Sequence, residues 1–342
     1  MDPDSAARQP AAGSGGRFYL IGYLPAYAAA LFLLLLIWAG APAWRGHPGR
    51  RIRFTTAWAT ASHLSLGEVV MVALAVALLA VILQPLQLAL VNLAQGSWPR
   101  CLGATWARQR QKNRRDRLAR AAHLPPGADL TSHAIQRAGA AGYQLRRRFP
   151  MPDHLLQPTA LGNVLAAMQD TAGRAYGLDA VIAWPRLYPV LGEQCRALVD
   201  DRRDTLDASV RLAAIMAVTV LASLVLLLGA GWWTALALIP LGVAALAYNA
   251  AVQAALAYAE TVHVAFDLHR ADLLTALRMT PPGRQDAERT LNEQFCDHWR
   301  QGIPLPATLH YTTARNDNHR YETLAPPTDP TNSRICRCEC AP

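Results

Sequence analysis

VRLAAIMAVTVLASLVLLLGA (Val210–Ala230) and WWTALALIPLGVAALAYNAAVQAALAYA (Trp232–Ala259) decide the fold of this chain. No charged residue stands between Arg211 and Glu260. At about 1.5 Å per residue, roughly twenty apolar residues cross a ~30 Å hydrocarbon core, so each run has the length of a membrane helix. The turn at Gly229–Trp232 is too short for any connection other than an antiparallel helical hairpin. It places Trp232 and Trp233 at the interface that aromatic rings prefer.

Working outward, two further runs read as spans. Phe18–Trp44 is apolar with Pro25 near its start, and its length, together with Asp2 and Asp4 upstream, argues against a cleaved signal. Glu68–Gln95 contains Pro85, which removes a backbone hydrogen bond and is expected to kink it. The reading is an all-α, four-span membrane protein. Its expected segments are a disordered tail at 1–17, spans at 18–44, 68–95, 209–229 and 233–258, an external loop at 45–67, a basic helical region at 96–208, helices at 259–302 and a disordered tail at 303–342. Within the loop, FTTAWATASHLSLG is suited to lie along the interface.

Charge sets the expected orientation. The chain has 342 residues, a net charge of +9 and only 17% charged residues, against about 25% in soluble domains. Its positive charge is arginine except for Lys112. The densest cluster follows the second span, and the positive-inside rule puts it, and with four spans both termini, on the cytoplasmic side of the inner membrane. The four arginines of Arg45–Arg53 oppose that rule, but inverting the molecule would export more positive charge. The cysteines form no disulfide framework, which fits a reducing compartment.

The 97–209 region reads as helices. A basic one from Thr105 carries Arg108, Arg110, Arg114 and Arg115, with Trp106 and Leu118 as anchors. Two short ones follow between Pro158 and Leu191, broken near Gly177. Beside a span, the basic helix suits anionic lipid, worth about 1 kcal/mol per residue, better than nucleic acid.

Chemical candidates are sparse. Glu260, His263 and Asp267 share a helix face, but Glu-x-x-His occurs without the second copy that a di-metal site needs. Cys336, Cys338 and Cys340 alternate and can hold a soft ion, or be incidental to a tail. Gln84, Gln87, Asn92, Asn249 and Gln253, with proline breaks expected at Pro85 and Pro240, keep a channel or carrier open, although no span carries a charge near its centre and hydrogen bonding between packed spans is the favoured reading of these residues. No phosphate loop, zinc-protease or nucleophile-elbow motif occurs, and nothing calls for a cofactor.

Two stretches, LGNVLAAMQDTAGRAYGLDAVIAWPRLYPVL (Leu161–Leu191) and AYAETVHVAFDLHRADLLTAL (Ala257–Leu277), resemble multi-pass membrane proteins of high-GC bacteria with no assigned activity. The resemblance implies a shared fold and points to Tyr176, Gly177, Asp179, Trp184, Pro185, Arg186, Asp267 and Arg270, of which Trp184, Arg186, Asp267 and Arg270 are expected to contact lipid or a partner. Trp184-Pro185-Arg186 is expected to form a helix-breaking corner, and Asp179 or Asp267 to pair with Arg186 or Arg270. The expected function is an interaction or scaffold subunit that holds a protein partner, or its own copies, at the membrane. A channel or carrier is the alternative, and a membrane enzyme or metal protein the third.

Overall fold

A computed structural model describes residues 12–41, 53–82, 92–96, 103–124, 131–228 and 230–306, with single positions at 89, 98, 309 and 311; the side chains of 12–24 and 79–82 are outside it. All regular structure among the described residues is helical. The elements are α1 (Ala12–Trp38), α2 (Phe54–Ser62), α3 (Leu66–Ile82), α4 (Ala104–Ala122), α5 (Ser132–Arg148), α6 (Ala160–Thr171), α7 (Ala180–Leu187), α8 (Glu193–Leu226), α9 (Leu238–Ala276) and α10 (Gln285–Gln301).

α8 and α9 are the frame. They have 34 and 39 residues, about 51 and 58 Å at about 1.5 Å per residue, nearly twice the ~30 Å of a hydrocarbon core. Both are long and apolar enough to cross a membrane. Around the turn between them, outward residues such as Leu221, Leu228, Leu238 and Leu246 are more than 60% exposed, a surface suited to lipid rather than water. All the surplus length therefore emerges at the opposite, charged end.

Pro240 was expected to break the fourth span, and it does not. The chain leaves the turn as a 3-10 segment, Gly231–Ala237, and α9 begins at Leu238. Pro240 thus lies in the first helical turn, where a missing N–H forfeits no intrahelical bond.

The interfacial segment is helical. α2 meets α3 at 114°, a bent pair that counts as a third crossing only if taken as one span. Ser65 caps the turn, its amide donating to Glu68 Oε2 at 2.8 Å. Phe54 of α2 packs edge-on against Trp233 at 5.5 Å, tying this bend to the tip of the hairpin. α1 begins at Ala12, inside the stretch expected to be a tail. Its Pro25–Trp38 portion is apolar but short for a span by itself, and Leu36 and Ala39 pack on Leu226 and Leu227. Gln84, Pro85 and Gln87, and the cysteines at 336, 338 and 340, lie outside the described residues.

At the charged end a helical domain is built on the extensions of the frame. One core joins Leu178, Ala183 and Leu187 with Val199 of α8, Phe266 and Leu273 of α9 and Cys296 of α10. A second joins Leu161 and Val164 of α6 with Leu206 and Val210 of α8 and Ala251–Leu256 of α9. Because α6 covers one face of α9 as far up as Tyr248, the last ten residues of the run assigned to the fourth span lie against the domain. The Tyr248 hydroxyl accepts from the first amides of α6, Ala160 at 3.1 Å and Leu161 at 3.3 Å, which answers two of the donors every helix start leaves unpaired.

Candidate functional site

The stretches Leu161–Leu191 and Ala257–Leu277 are brought into contact. α6 ends at Thr171, and a 3-10 turn (Arg174–Tyr176) between Gly173 and Gly177 leads to Asp179, whose side chain caps α7 by accepting from the Val181 amide at 2.9 Å. Gly177 has φ +75°, and a Cβ there would stand 2.5 Å from the Arg289 carbonyl oxygen. Only glycine fits both constraints.

Tyr176 is the centre of the contact. Its hydroxyl donates to Asp267 Oδ1 at 2.9 Å, its ring lies 4.1 Å beneath the Arg270 guanidinium, and its carbonyl accepts from Asn292 Nδ2 at 2.8 Å. Arg270 continues to Glu288 at 2.9 Å and to the backbone carbonyl of Asp267. One ring therefore ties α9 to α10. Burial and the Asp267 carboxylate raise the Tyr176 phenol above its usual range, the wrong direction for a base at neutral pH. Burial likewise pushes the Cys296 thiol up, so it is a packed side chain rather than a nucleophile.

The expected pairings are corrected in detail. Asp179 pairs with Arg300 of α10, not with Arg186 or Arg270. Arg186 stacks 4.4 Å over Trp299 and donates to the Ile182 carbonyl at 2.7 Å. Asp267 takes the Tyr176 hydroxyl while the Arg270 side chain goes to Glu288. Trp184, Pro185 and Arg186 lie within α7, so they form no helix-breaking corner. The Trp184 indole packs inward, with ring centroids 6.0 Å from Phe266 and 5.9 Å from Tyr188.

The Leu-Gly-Asn start of the first stretch has an equally structural account. Leu161 is fully buried, and a Cβ on Gly162 would overlap the Gln95 carbonyl at 1.9 Å. Asn163, also fully buried, spans the loop: Oδ1 accepts from the Gln157 amide at 2.8 Å and Nδ2 donates to the Gln157 and Thr159 carbonyls at 2.9 Å. Thus Trp184, Arg186, Asp267 and Arg270, expected at a contact surface, spend their interactions inside the domain.

Glu260, His263 and Asp267 face three separate partners. Glu260 pairs with Arg147 at 3.3 Å. His263 meets Thr171 Oγ1 at 3.0 Å and the Ala259 carbonyl at 2.8 Å, and Asp267 meets Tyr176. Among the described residues no three His, Cys, Asp or Glu side chains are grouped to hold a metal ion. Asn249 and Gln253 lie on the exposed face of α9, level with the end of the apolar run on α8 rather than at mid-span.

The basic helix stands apart from this knot. α4 and α5 hold eleven arginines and lysines against Asp116 alone, a net +10, whereas the whole chain is +9; the remainder is close to neutral at −1. Arg108, Arg110 and Arg114 are exposed, and Arg110 lies over the ring of Trp106, itself 69% exposed. Arg115 is not available in the same way. It binds Asp153 at 2.6 Å, beside Lys112 at 3.0 Å, and anchors the arm to the turn before α6.

Comparison of the chain with family models, curated proteins and solved structures returned no match, so function rests on this geometry.

Proposed function

We propose that this chain is a membrane-anchored interaction subunit. In this reading four spans in the inner membrane, with both termini cytoplasmic, carry a cytoplasmic helical domain that holds a protein partner or further copies of the chain. The observation that carries it is the continuity of α8 and α9, each a single helix from the hairpin tip to the core of the domain. Such a frame fixes the domain at a set height and orientation, which is what a docking platform requires. The α4–α5 arm lies on anionic lipid, its exposed arginines contributing about 1 kcal/mol each near the surface.

The test is gentle detergent extraction followed by mass and size determination, with protease mapping of Arg108–Arg120 in sealed vesicles. A stoichiometric partner or a defined homo-oligomer is expected, with the arm cleaved only from the cytoplasmic side. A lone monomer, or an arm open to protease from outside, overturns the reading.

A further inference from the structure

We propose that the groove between α5 and α9 binds a doubly charged phosphate group. The groove encloses about 670 Å³, within the range of small-molecule sites, and four guanidiniums line it: Arg146 and Arg147 of α5, Arg174 of the 3-10 turn and Arg289 of α10. Against them stand Glu260 and Asp267, leaving the lining at +2. Two other grooves among the described residues have a different balance. The adjacent one sets Arg174, Arg289 and Arg300 against Asp170, Asp179, Glu293 and Asp297, and that at the membrane boundary sets Arg203 against Asp207.

The cations keep donors in reserve. A guanidinium has five N–H groups. Arg289 uses Nε on Glu293, and Arg174 uses one amino group on Asp170; both carboxylates line the neighbouring groove, so these two arginines straddle the ridge between the openings. Arg147 reaches Glu260 and the Leu256 carbonyl through one amino group. Arg146 makes no ion pair among the described residues and is exposed.

A phosphomonoester carries about −1.5 to −2 at neutral pH and three acceptor oxygens. It matches both the +2 lining and the unused forks, which a singly charged carboxylate does not. Tyr143 and Met168 add an aromatic and an apolar wall for whatever the phosphate is attached to. The phosphate has two possible sources. Ala259 and Glu260, where the charge-free run ends, line the groove, so a lipid phosphomonoester headgroup reaches it if the domain sits under the bilayer as proposed. A soluble phosphate reaches it in either case.

The experiment uses the full chain in nanodiscs of phosphatidylcholine alone, titrated with inorganic phosphate, and in nanodiscs containing phosphatidate or, as control, phosphatidylserine. Saturable binding of inorganic phosphate supports the site with a soluble source. Preference for phosphatidate over phosphatidylserine supports it with a lipid source. Either binding should weaken about tenfold with Arg146→Gln or Arg289→Gln, each removing a charge-assisted contact, and strengthen several-fold with Glu260→Gln, which removes a competing carboxylate. Arg284→Gln, at an exposed arginine outside the groove and outside the basic arm, should leave it unchanged. Binding to neither probe, equal response to phosphatidylserine, or indifference to Arg146→Gln and Arg289→Gln in protein with wild-type amide exchange overturns the proposal. Partner capture is unaffected by these outcomes, so failure here leaves the platform reading to its own test.

Discussion

Phe266→Ala should detach the helical domain from its frame while leaving the hairpin tip intact. The ring is fully buried, packs on Trp184, and closes over Gly173, whose Cβ position lies 2.9 Å from Cδ1. Truncating such a side chain costs about 3–5 kcal/mol, because the lost transfer free energy is joined by a cavity that the surrounding helices refill only in part. If amides of α7 and α10 exchange by opening of the domain, protection there falls by about two to nearly four orders of magnitude, at about 1.36 kcal/mol per decade. Phe266 is level with Cys195 on α8, so Leu221 is about 40 Å further up at about 1.5 Å per residue, beyond the range at which side-chain effects couple. Hydrogen exchange of the detergent-solubilised protein reads both regions at once. A drop below tenfold in α7 and α10, or an equal drop through Ile215–Leu226, would refute the division into a lipid-facing tip and a separately opening domain.

Gly177→Ala meets both a φ of +75° and the Arg289 carbonyl, and is expected to cost at least ~2 kcal/mol of domain stability. Gly139→Ala in α5 meets open space and should gain about 0.5–1 kcal/mol; thermal melts of the two variants against wild type check the contrast. The Asp153 carboxyl is held below the usual carboxylate range by hydrogen bonds from Arg115 first and Lys112 second. A depressed folded value means that its contribution is fully present above the unfolded value of about 3.9 and is lost as pH falls through the lower folded one. The arm should therefore stay tethered at pH 5 and loosen only below about pH 3.9. Asp153→Asn should abolish that acid step in a distance measurement between α4 and the 153–155 turn.

Local signals in the sequence carried much of the fold. The charge gap from Arg211 to Glu260 corresponds to two helices long and apolar enough to cross a membrane, and the expected break near Gly177 to a left-handed residue between two helices. The expected pairings went astray because spacing along one element is silent about distant ones. Asp179 finds Arg300, Arg186 finds Trp299 and Arg270 finds Glu288 only because α10 folds back across α7 and α9. Pro240 misled for a related reason: a proline in an apolar run reads as a break unless the start of its helix is known, and the 3-10 segment that moves this start to Leu238 has no distinct composition. The +2 groove was likewise unreadable, its arginines coming from three elements spread over more than 140 positions.

The junction between the apolar runs and the helical domain is itself a packed core. Leu161 and Val164 of α6 rest on Val210, Ala251 and Ala255, residues of the apolar runs, and the Tyr248 hydroxyl completes the start of α6 from within such a run. Cutting the domain from its spans would therefore expose fully buried side chains and strip two helix-start amides of their acceptor. The reverse also holds, since removing α6 would bare Ala251, Val252, Ala255 and Leu256 on α9. Anchor and domain thus share a packed junction, and a load borne by the domain is passed to α8 and α9 through side-chain packing as well as through the backbone. That continuity is the physical ground for reading the molecule as a platform rather than as a soluble module on a tether.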